Sequence, residues 1–344
     1  MALRHAKKLI TFLERQKQSI SPLLILTHNF PDPDAIASAF ALKYMLEKVF
    51  DVEATIAYDG IIGRMENRAL VNILRIPIHK LKPRDFKRYD HVALVDTQPA
   101  FENNAFPKKR KAVLVIDQHL SVTKPQADCA IIDTDCGATS VLVAEALLLL
   151  KMEMPSRIAT ALAYGILTDT MNFHRAHGWH MVQIYLQLMQ HCDLKALAKI
   201  QNPVRSRKFF STLGKAIQSA MVNRGIIMAH LGEVENPDLV GHIADFLMTY
   251  RRMTCSFCTG RYKGKLHVSL RLTKTNRNAG EMLRDIILER GRAGGHGLIA
   301  GGSIPIGDNE EPSFWRRTEE ELSVRLFKRM RIPTTGEPYF PFRE

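Results

Sequence analysis

The 344-residue chain has 46% hydrophobic and 24% charged residues, a composition that excludes a largely disordered protein. No run reaches the ~18 uncharged apolar residues of a membrane-spanning helix, and five cysteines, an odd number, argue against a disulfide framework. The formal net charge of +13 favours polyanionic partners such as nucleotides or nucleic acids. We therefore expect a cytoplasmic protein without a membrane segment.

The first part of the chain begins with the amphipathic pattern "MALRHAKKLITFLERQKQ" and then alternates apolar runs with helical patterns. The strand candidates are "LLILT", "VEATIAY", "HVALVD", "AVLVID" and "CAIID", and the helix candidates are Asp34–Val49, Gly137–Leu150 and Arg157–Leu167. Such alternation predicts an α/β domain with a mainly parallel sheet. Ligands of such sheets bind outside the carboxyl ends of the strands.

The composition of the sequence changes after about residue 190, where "AKIQNPVRSRKFFSTLGKAIQSA" is basic and polar. Beyond it, "GIIMAHL", the hairpin-like "CSFCTGRYKGKLHVSLRL", the helical "AGEMLRDIILER" and the glycine-rich "GRAGGHGLIAGG" predict a smaller α+β domain. Cys255 and Cys258 form a lone CxxC, which we interpret as half-buried residues near a hairpin because zinc knuckles need a second pair. We predict a first domain over residues 1–195, a linker over 196–225, a second domain over 226–310 and a tail over 311–344 without an assigned fold.

Several polar residues stand where predicted strands and a helix end. They are His28, Asp32, Asp34, Asp96, Asp117, His119 and Asp169. Each aspartate alone is more often a turn former or helix cap than a ligand. Together, however, several carboxylates in one crevice repel one another unless cations lie between them. Carboxylates suit Mg²⁺ or Mn²⁺, imidazole shifts the balance toward Mn²⁺, and two bridged ions are the usual apparatus for displacement at phosphorus.

At this point the motifs can be compared with a known family. "THNFPDPDAIAS", "LVDTQP", "VIDQHL" and "GILTDT" resemble, in order and spacing, four motifs of the DHH phosphoesterase superfamily. "RAGGHGLIAGGSIP" resembles the Gly-Gly-Gly-His motif of its DHH-associated C-terminal domain. The resemblance covers roughly residues 20 to 305. It implies a catalytic N-terminal domain, a substrate-binding C-terminal domain and an active-site cleft between them.

The resemblance also implies a set of metal ligands. One divalent ion would be held by His28, Asp32 and Asp96, and a second by Asp34, Asp96 and Asp169. Asp96 would bridge the two ions. Mn²⁺ is the expected metal, with Mg²⁺ as the alternative.

The motif "VIDQHL" departs from the family at one position. Asp117 is expected to support the site, and His119 resembles the family histidine that contacts the scissile phosphate. Gln118 stands where family members carry a histidine that ligates the second metal, and it offers only a neutral amide oxygen. A weaker second site, a shift toward Mg²⁺ or Mn²⁺, and loss of activity all stay open.

The segment "CGATSVLVAEAL" opens a helix with small residues. Its N-terminal amides could face a phosphate, or Thr139 or Ser140 could simply cap the helix. Both interpretations stay open at this point.

In the second domain, Gly294 and Gly295 permit close backbone approach to a ligand, and His296 can donate a hydrogen bond to a phosphate or base. Arg271 matches an arginine that the family places on a strand facing the cleft, and its fork suits phosphate recognition. We therefore expect these four residues to bind substrate.

The predicted activity is metal-dependent hydrolysis of short oligoribonucleotides, since a compact two-domain chain resembles the nano-RNase group. Hydrolysis of 3′-phosphoadenosine 5′-phosphate is a further expectation. The alternatives are a cyclic-dinucleotide phosphodiesterase, a single-strand exonuclease and, from another class, a nucleotide-binding protein that has lost catalysis at Gln118. The expected partner is a short single-stranded oligonucleotide or nucleotide, and the oligomeric state is open, with a homodimer among the options.

Overall fold

The computed structural model describes residues 2–121, 123–174, 178–273, 278–288, 291–306, 311–332 and 339–343. It divides the chain into two compact units, Met1–Pro203 and Val204–Glu344. Each unit is built around its own sheet and its own buried apolar core.

The first unit contains a six-stranded sheet in which every neighbouring pair is parallel. Its strands are β1 (Leu23–Thr27), β2 (Ala54–Tyr58), β3 (Ile78–Lys80), β4 (His91–Val95), β5 (Ala112–Asp117) and β6 (Ala127–Ile132), in the order β3-β2-β1-β4-β5-β6. The order reverses between β1 and β4, where an open α/β sheet forms its ligand crevice. The predicted α/β domain with a mainly parallel sheet is confirmed; β3 was not predicted.

Helices cover this sheet. They are α1 (Ala2–Gln16), α2 (Pro33–Val49), α3 (Met65–Ile73), α4 (Asp85–Arg88), α5 (Thr139–Leu149), α6 (Ser156–Asp169), α7 (Trp179–Met189) and α8 (Leu194–Gln201). Alternate residues of β1 enter cores on opposite faces of the sheet, Leu23 and Ile25 on one and Leu24 and Leu26 on the other. The apolar stretch "VLVAEALLLL" lies in α5, packed against α1 and α2. Within the described ranges, no helix has the length and apolarity to cross a membrane.

The second unit has a mixed six-stranded sheet in the order β11-β12-β10-β9-β8-β7. Its elements are α9 (Arg207–Ser219), β7 (Met221–Asn223), β8 (Ile226–Glu233), α10 (Asp238–Met248), β9 (Cys255–Tyr262), β10 (Lys265–Leu272), α11 (Ala279–Ile287), β11 (Arg292–His296), β12 (Ile299–Pro305) and α12 (Pro312–Met330). Strands β8 and β9 pair in parallel and the other neighbours are antiparallel. The predicted α+β character of this part is confirmed.

The segments at the edges of this unit differ from the sequence expectation. Residues 311–344, which received no fold, contain α12, whose Trp315, Leu322 and Leu326 are buried in a core cluster. These three residues are spaced by seven and four positions, as on one helix face, but the residues between Trp315 and Leu322 are almost all charged, which weakens the pattern. The segment 196–225, expected as a linker with some helix in it, contains the end of α8, the whole of α9 and strand β7, and the two units divide at Pro203 and Val204.

The two cysteines of the CxxC both lie in β9 and are thiols, not halves of a disulfide. Cys255 belongs to the core on one face of the sheet and Cys258 to the core on the other face. Residues three apart in a strand point to opposite faces, so the pair does not form a metal knuckle. Both are fully buried, more deeply than the half-buried position predicted.

Candidate active site

The turn after β1 leads directly into α2. Pro33 occupies the first position of the helix, where a missing amide hydrogen costs nothing, and the Asp32 carboxylate accepts a hydrogen bond from the Ala35 amide at 3.0 Å. Asp32 is therefore the N-cap residue, as well as a candidate ligand. The proline and the cap fix the direction of the chain at this edge of the sheet.

His28 presents one ring nitrogen to two carboxylates. Its Nδ1 lies 2.9 Å from the Asn29 carbonyl oxygen, which can only accept, so the proton is on Nδ1. Nε2 then lies 3.4 Å from Asp96 Oδ2 and 3.8 Å from Asp32 Oδ1. A backbone carbonyl on the other nitrogen is the usual way to orient a metal-binding histidine.

The ligand atoms of His28, Asp32 and Asp96 all lie within 4.8 Å of one another. Burial lowers the pKa of His28, but hydrogen bonds and the charges of the two carboxylates outweigh it and raise the pKa well above its usual value. Burial raises the pKa of Asp32, yet the His28 interactions and the Ala35 amide lower it to about 2. One imidazole nitrogen and two carboxylate oxygens fit a divalent cation such as Mn²⁺ or Mg²⁺.

Asp96 follows β4 and takes part in two groups of potential ligands. It is 2% exposed, and its backbone has a positive φ of 59°. The Thr139 hydroxyl donates to Asp96 Oδ1 at 2.8 Å. Asp96 also lies within 4.8 Å of Asp117 and His119, so the two described groups share this carboxylate.

Asp117 and His119 form a fixed pair at the end of β5. His119 Nδ1 lies 2.8 Å from Asp117 Oδ1, and Asp117 is fully buried. The Asp117 hydrogen bond raises the pKa of His119 to about 9; burial opposes it and the Asp96 charge reinforces it. With Nδ1 committed to Asp117, the partly exposed ring offers Nε2 as its donor.

Gln98 holds this pair in place and was not predicted. Its side-chain amide donates to Asp117 Oδ2 at 2.7 Å and to the His119 carbonyl at 2.9 Å, and it is 1% exposed. The signal in the sequence is weak: a glutamine two residues after the strand-end Asp96 in "LVDTQP".

Asp34, predicted as a ligand of the second metal, is fully buried. Its two oxygens accept hydrogen bonds from the amides of Thr139 at 2.7 Å and Ser140 at 2.8 Å. The first amides of α5 therefore face a carboxylate of this chain, which corrects the interpretation that they face a phosphate or are capped by Thr139 or Ser140. Burial raises the pKa of Asp34 well above its usual value, and neighbouring carboxylates add to this effect.

Asp169 ends α6 and lies against Gln118. The Gln118 side-chain amide nitrogen donates to Asp169 Oδ2, so the residue offers its nitrogen and not its oxygen to the predicted second ligand. Burial raises the pKa of Asp169 to about 7 with help from the charges of Asp32 and Asp96, and Gln118 partly opposes the rise. Among the described residues, the groups of mutually close ligands include neither Asp169 nor Asp34.

Arg271, predicted to bind phosphate, lies in the second unit and is 6% exposed. Its guanidinium donates to the Asp245 carboxylate, to the Ser269 hydroxyl at 2.7 Å, and to the carbonyls of Leu270 and Ala300 at 3.1 and 3.3 Å. The arginine is thus buried and bonded within its own unit.

Gly294 and Gly295 lie in β11, which pairs with β12. A Cβ on Gly295 would lie 2.3 Å from the Ile299 carbonyl oxygen, and the residue has a φ of +147°. A Cβ on Gly280, in the first turn of α11, would lie 2.2 Å from the Gly295 carbonyl oxygen. Gly295 is therefore required by its close contact with the backbone of β12 and not by a contact with a ligand. The side chain of His296 lies outside the described residues.

Two families match the chain: residues 22–166 match "DHH family, N-terminal domain", and residues 223–322 match "DHHA1 domain". An uncharacterized protein of Methanocaldococcus jannaschii is 34% identical over 332 residues, covering 95% of this chain and 68% of that protein. The bifunctional oligoribonuclease and PAP phosphatase NrnA of Thermus thermophilus is 26% identical over 253 residues, covering 70% of this chain and 74% of the relative.

The fold has solved counterparts. An exopolyphosphatase-related protein from Bacteroides fragilis superposes with a TM-score of 0.74 at 14% identity, covering 95% of this chain and 96% of the other. At this identity the likeness shows the fold alone. Together with the two matched domains and the 34% identical relative, it leads to one conclusion. The chain belongs to the DHH family of phosphoesterases, which are generally metal-dependent hydrolases, and it carries a DHHA1 domain in its C-terminal half.

Proposed function

We propose that this protein hydrolyses short oligoribonucleotides to mononucleotides, with 3′-phosphoadenosine 5′-phosphate as a further substrate. The observation that carries the proposal is the buried Asp96 carboxylate, shared by the group of His28 and Asp32 and the group of Asp117 and His119. The 26% identical relative named as an oligoribonuclease and PAP phosphatase supports this substrate class. The net charge of +13 suits a polyanionic substrate.

The residues divide the chemistry among them. A first ion would be held by His28, Asp32 and Asp96, and a second by Asp34, Asp96 and Asp169, with Gln118 beside it. Bound Mn²⁺ or Mg²⁺ ions lower the pKa of a water ligand and neutralise charge on the phosphoryl oxygens.

His119 supplies the next part of the mechanism. Asp117 accepts the hydrogen bond of Nδ1, so Nε2 carries a proton whenever the ring is cationic, and a pKa of about 9 keeps it cationic at neutral pH. It can therefore donate to a phosphoryl oxygen, where negative charge grows during attack by water. Gln98 donates hydrogen bonds to the Asp117 carboxylate and the His119 carbonyl and so holds both residues in position for this role.

A base of the substrate would stack on Phe30. Phe30 lies between His28 and Asp32 in the sequence, its side chain is 63% exposed, and its backbone has a φ of 58°. A Cβ on Gly60 would lie 2.8 Å from the Phe30 ring, so the ring rests on a glycine backbone and offers its other face. Stacking on aromatic rings tolerates any base.

The glycine-rich hairpin with Gly294, Gly295 and His296 is the proposed binding element for the rest of the substrate. For Arg271 to bind the substrate, a phosphate must replace the Asp245 carboxylate as the acceptor of its guanidinium hydrogen bonds. Asp245 is 44% exposed at its side chain, which leaves it free to turn away.

A second candidate function is nucleotide binding without turnover. It is favoured by the hydrogen bond from Gln118 to Asp169, which occupies a ligand of the second ion with an amide donor.

The experiment incubates the purified full chain with Mn²⁺ or Mg²⁺ and a diribonucleotide, a cyclic dinucleotide, 3′-phosphoadenosine 5′-phosphate or pyrophosphate. Release of mononucleotides from the diribonucleotide is expected to dominate. Tight diribonucleotide binding without release would establish the binding function instead, and preferential cleavage of the cyclic dinucleotide would move the protein to that substrate class. Asp135→Asn, an exposed carboxylate outside the site, serves as the matched control.

A further inference from the structure

The second unit contains a large cavity at one end of its sheet, which we call the basic cleft. Its volume is roughly 1180 Å³, and it is lined by α9, the ends of β8 and β9, and residues 342–343. The cations that line it are Lys208, Lys215, Arg261 and Arg343, with His230 beside them. A cavity of this size exceeds the ~300–1,000 Å³ of most small-molecule sites, so it accommodates more than one nucleotide.

The basic cleft lies away from the glycine-rich hairpin. In the sheet, the hairpin turn is level with the start of β9, since Ile299 pairs with Arg271 and Arg271 pairs with Ser256. Arg261 lies five residues farther along β9, a distance of about 17 Å at the rise of an extended strand. The cleft is therefore a separate site in the same unit.

The cleft carries more positive than negative charge in its lining. Glu233 is the acidic residue there, and Glu319 and Glu320 line an adjoining cavity that shares His230 and Arg261. In the part of the chain that the structure describes, no carboxylate forms an ion pair with Lys208, Lys215 or Arg261. The Arg261 guanidinium lies 5.2 Å from the centre of the Trp315 ring, which holds it in position without neutralising it. An excess of cations around one cavity attracts anions.

His230 adds a polar group with a defined orientation. The Thr259 hydroxyl donates its one proton to Glu319 Oε1 at 2.6 Å, so its oxygen must accept from His230 Nδ1 at 2.8 Å. His230 therefore carries its proton on Nδ1 and offers the Nε2 lone pair as an acceptor. Burial lowers the pKa of His230, although Glu319 and Glu320 oppose the change, and the ring is neutral at neutral pH.

A ligand that uses both features of this cleft combines several negative charges with a hydrogen-bond donor for the histidine. A phosphate ion or a DNA strand supplies the charges, whereas RNA also carries a ribose 2′-hydroxyl at every nucleotide. A Lys- and Arg-lined groove is the usual way to follow a single strand through its phosphates.

We propose that the basic cleft binds single-stranded RNA, with Lys208, Lys215 and Arg261 on successive phosphates and His230 Nε2 accepting from a ribose 2′-hydroxyl. The proposal goes beyond the hydrolytic function, because binding at this cleft needs neither the metal ligands nor the glycine-rich hairpin.

The test measures fluorescence anisotropy of the full chain with a labelled 12-nucleotide RNA and the DNA of the same sequence, in EDTA, over a series of salt concentrations. EDTA prevents metal-dependent cleavage, so the outcome does not depend on whether the protein hydrolyses RNA. The triple variant Lys208→Ala, Lys215→Ala, Arg261→Ala is expected to bind RNA at least ten-fold more weakly. Its log–log salt slope should fall by about 2, because each phosphate contact on a single strand contributes about 0.7.

A matched control removes the same charge elsewhere. Arg4, Lys7 and Arg15 line a different cavity under α1, and their triple replacement by alanine is expected to weaken RNA binding less than three-fold. Equal losses in both triple variants would show attraction by net charge and would overturn the proposal. The charge-preserving variant Lys208→Arg, Lys215→Arg, Arg261→Lys is expected to restore binding, which guards against a loss through misfolding.

His230 has its own readout. His230→Phe is expected to lower RNA affinity several-fold and leave DNA affinity unchanged, so that the preference for RNA over DNA falls toward one. Equal affinity of the unaltered protein for RNA and DNA would remove the assigned role of the 2′-hydroxyl.

Discussion

The two predicted ion sites share Asp96 but differ in what surrounds their other ligands. At the first site, His28 Nε2 lies 3.4 Å from Asp96 and 3.8 Å from Asp32, and each carboxylate accepts from a protein donor through Oδ1: the Thr139 hydroxyl on Asp96 and the Ala35 amide on Asp32. At the second, the Gln118 amide donates to one oxygen of Asp169, whereas the α5 amides engage both oxygens of Asp34. Asp34 therefore anchors α5 with its whole carboxylate, whereas these donors engage each of the other carboxylates through one oxygen.

This difference teaches that a carboxylate at a strand end or helix end is a ligand only as far as the surrounding chain leaves its lone pairs available. Asp32 also caps α2, but through a single oxygen, so it meets both demands. Asp34 uses both oxygens for the helix. We therefore expect the first site to bind its ion more tightly than the second.

The largest effect is expected where the two sites meet. Asp96→Asn removes a shared anionic ligand and should lower hydrolysis of a diribonucleotide by at least ~10³-fold, beyond the ~10²–10³ typical of losing one stabilising donor. It should also weaken Mn²⁺ binding, measured by isothermal titration calorimetry. Asp135→Asn is the control, and near-normal turnover of Asp96→Asn would contradict the shared-ligand arrangement.

The second prediction tests whether Asp34 stabilises the fold in the absence of metal. Asp34→Ala leaves the buried amides of Thr139 and Ser140 without acceptors, and each such loss costs about 1–3 kcal/mol. Relief of carboxylate repulsion offsets part of this, so we expect the free energy of unfolding in EDTA to fall by at least ~1 kcal/mol. Asp32→Asn keeps an N-cap oxygen and loses the interaction of a partly exposed carboxylate with His28, so its free energy of unfolding should fall by less than that of Asp34→Ala. Equal stability of the two variants would show that Asp34 does not anchor α5.

The third prediction concerns the residue that distinguishes this chain from its family pattern. Gln118→His replaces an amide donor by an imidazole that can ligate a metal, and we expect Mn²⁺ binding at the second site to tighten by about ten-fold, the scale on which ligand-supporting groups act. Calorimetry with the exposed Gln126→His as control measures the change. Unchanged affinity at the second site would mean that position 118 does not face the ion.

The last prediction concerns the pH dependence of the metal-free protein. Burial raises the pKa of Asp169 from 3.8 to about 7 in the folded state. The stability that this group contributes is therefore present below pH 3.8 and is lost as the pH rises through 7. Asp169→Asn should flatten the decline in the free energy of unfolding between these values, measured by urea unfolding in EDTA. If the free energy of unfolding depends on pH in the same way in the wild type and in Asp169→Asn, Asp169 is solvated in the folded protein.

Much of the fold followed from the sequence because its strands are strongly patterned. Strands β1, β4 and β5 are apolar runs that end at polar residues, and a parallel sheet brings those ends together. The three-residue β3 gave too short a pattern to detect, and α12 was missed because its buried Trp315 and Leu322 stand among many charges.

The sequence predicted that His28, Asp32, Asp96, Asp117 and His119 gather at one edge of the sheet, but it did not predict their hydrogen bonds. Strand ends identify His28 and Asp117 by position alone. The hydrogen bonds from Thr139 to Asp34 connect residues 105 positions apart, and Gln98 meets Asp117 across neighbouring strands. Such contacts depend on how helices and side chains pack, which periodicity does not encode.

The backbone at Asp96 sets a limit on how this protein can evolve. A φ of 59° is accessible to glycine, asparagine and aspartate at low cost and is unfavourable for most other residues. Asparagine keeps the backbone and the side-chain shape while removing the charge that both ions would share. A single substitution of this kind therefore offers a direct route from a phosphoesterase to a protein that keeps its fold and retains nucleotides without cleaving them.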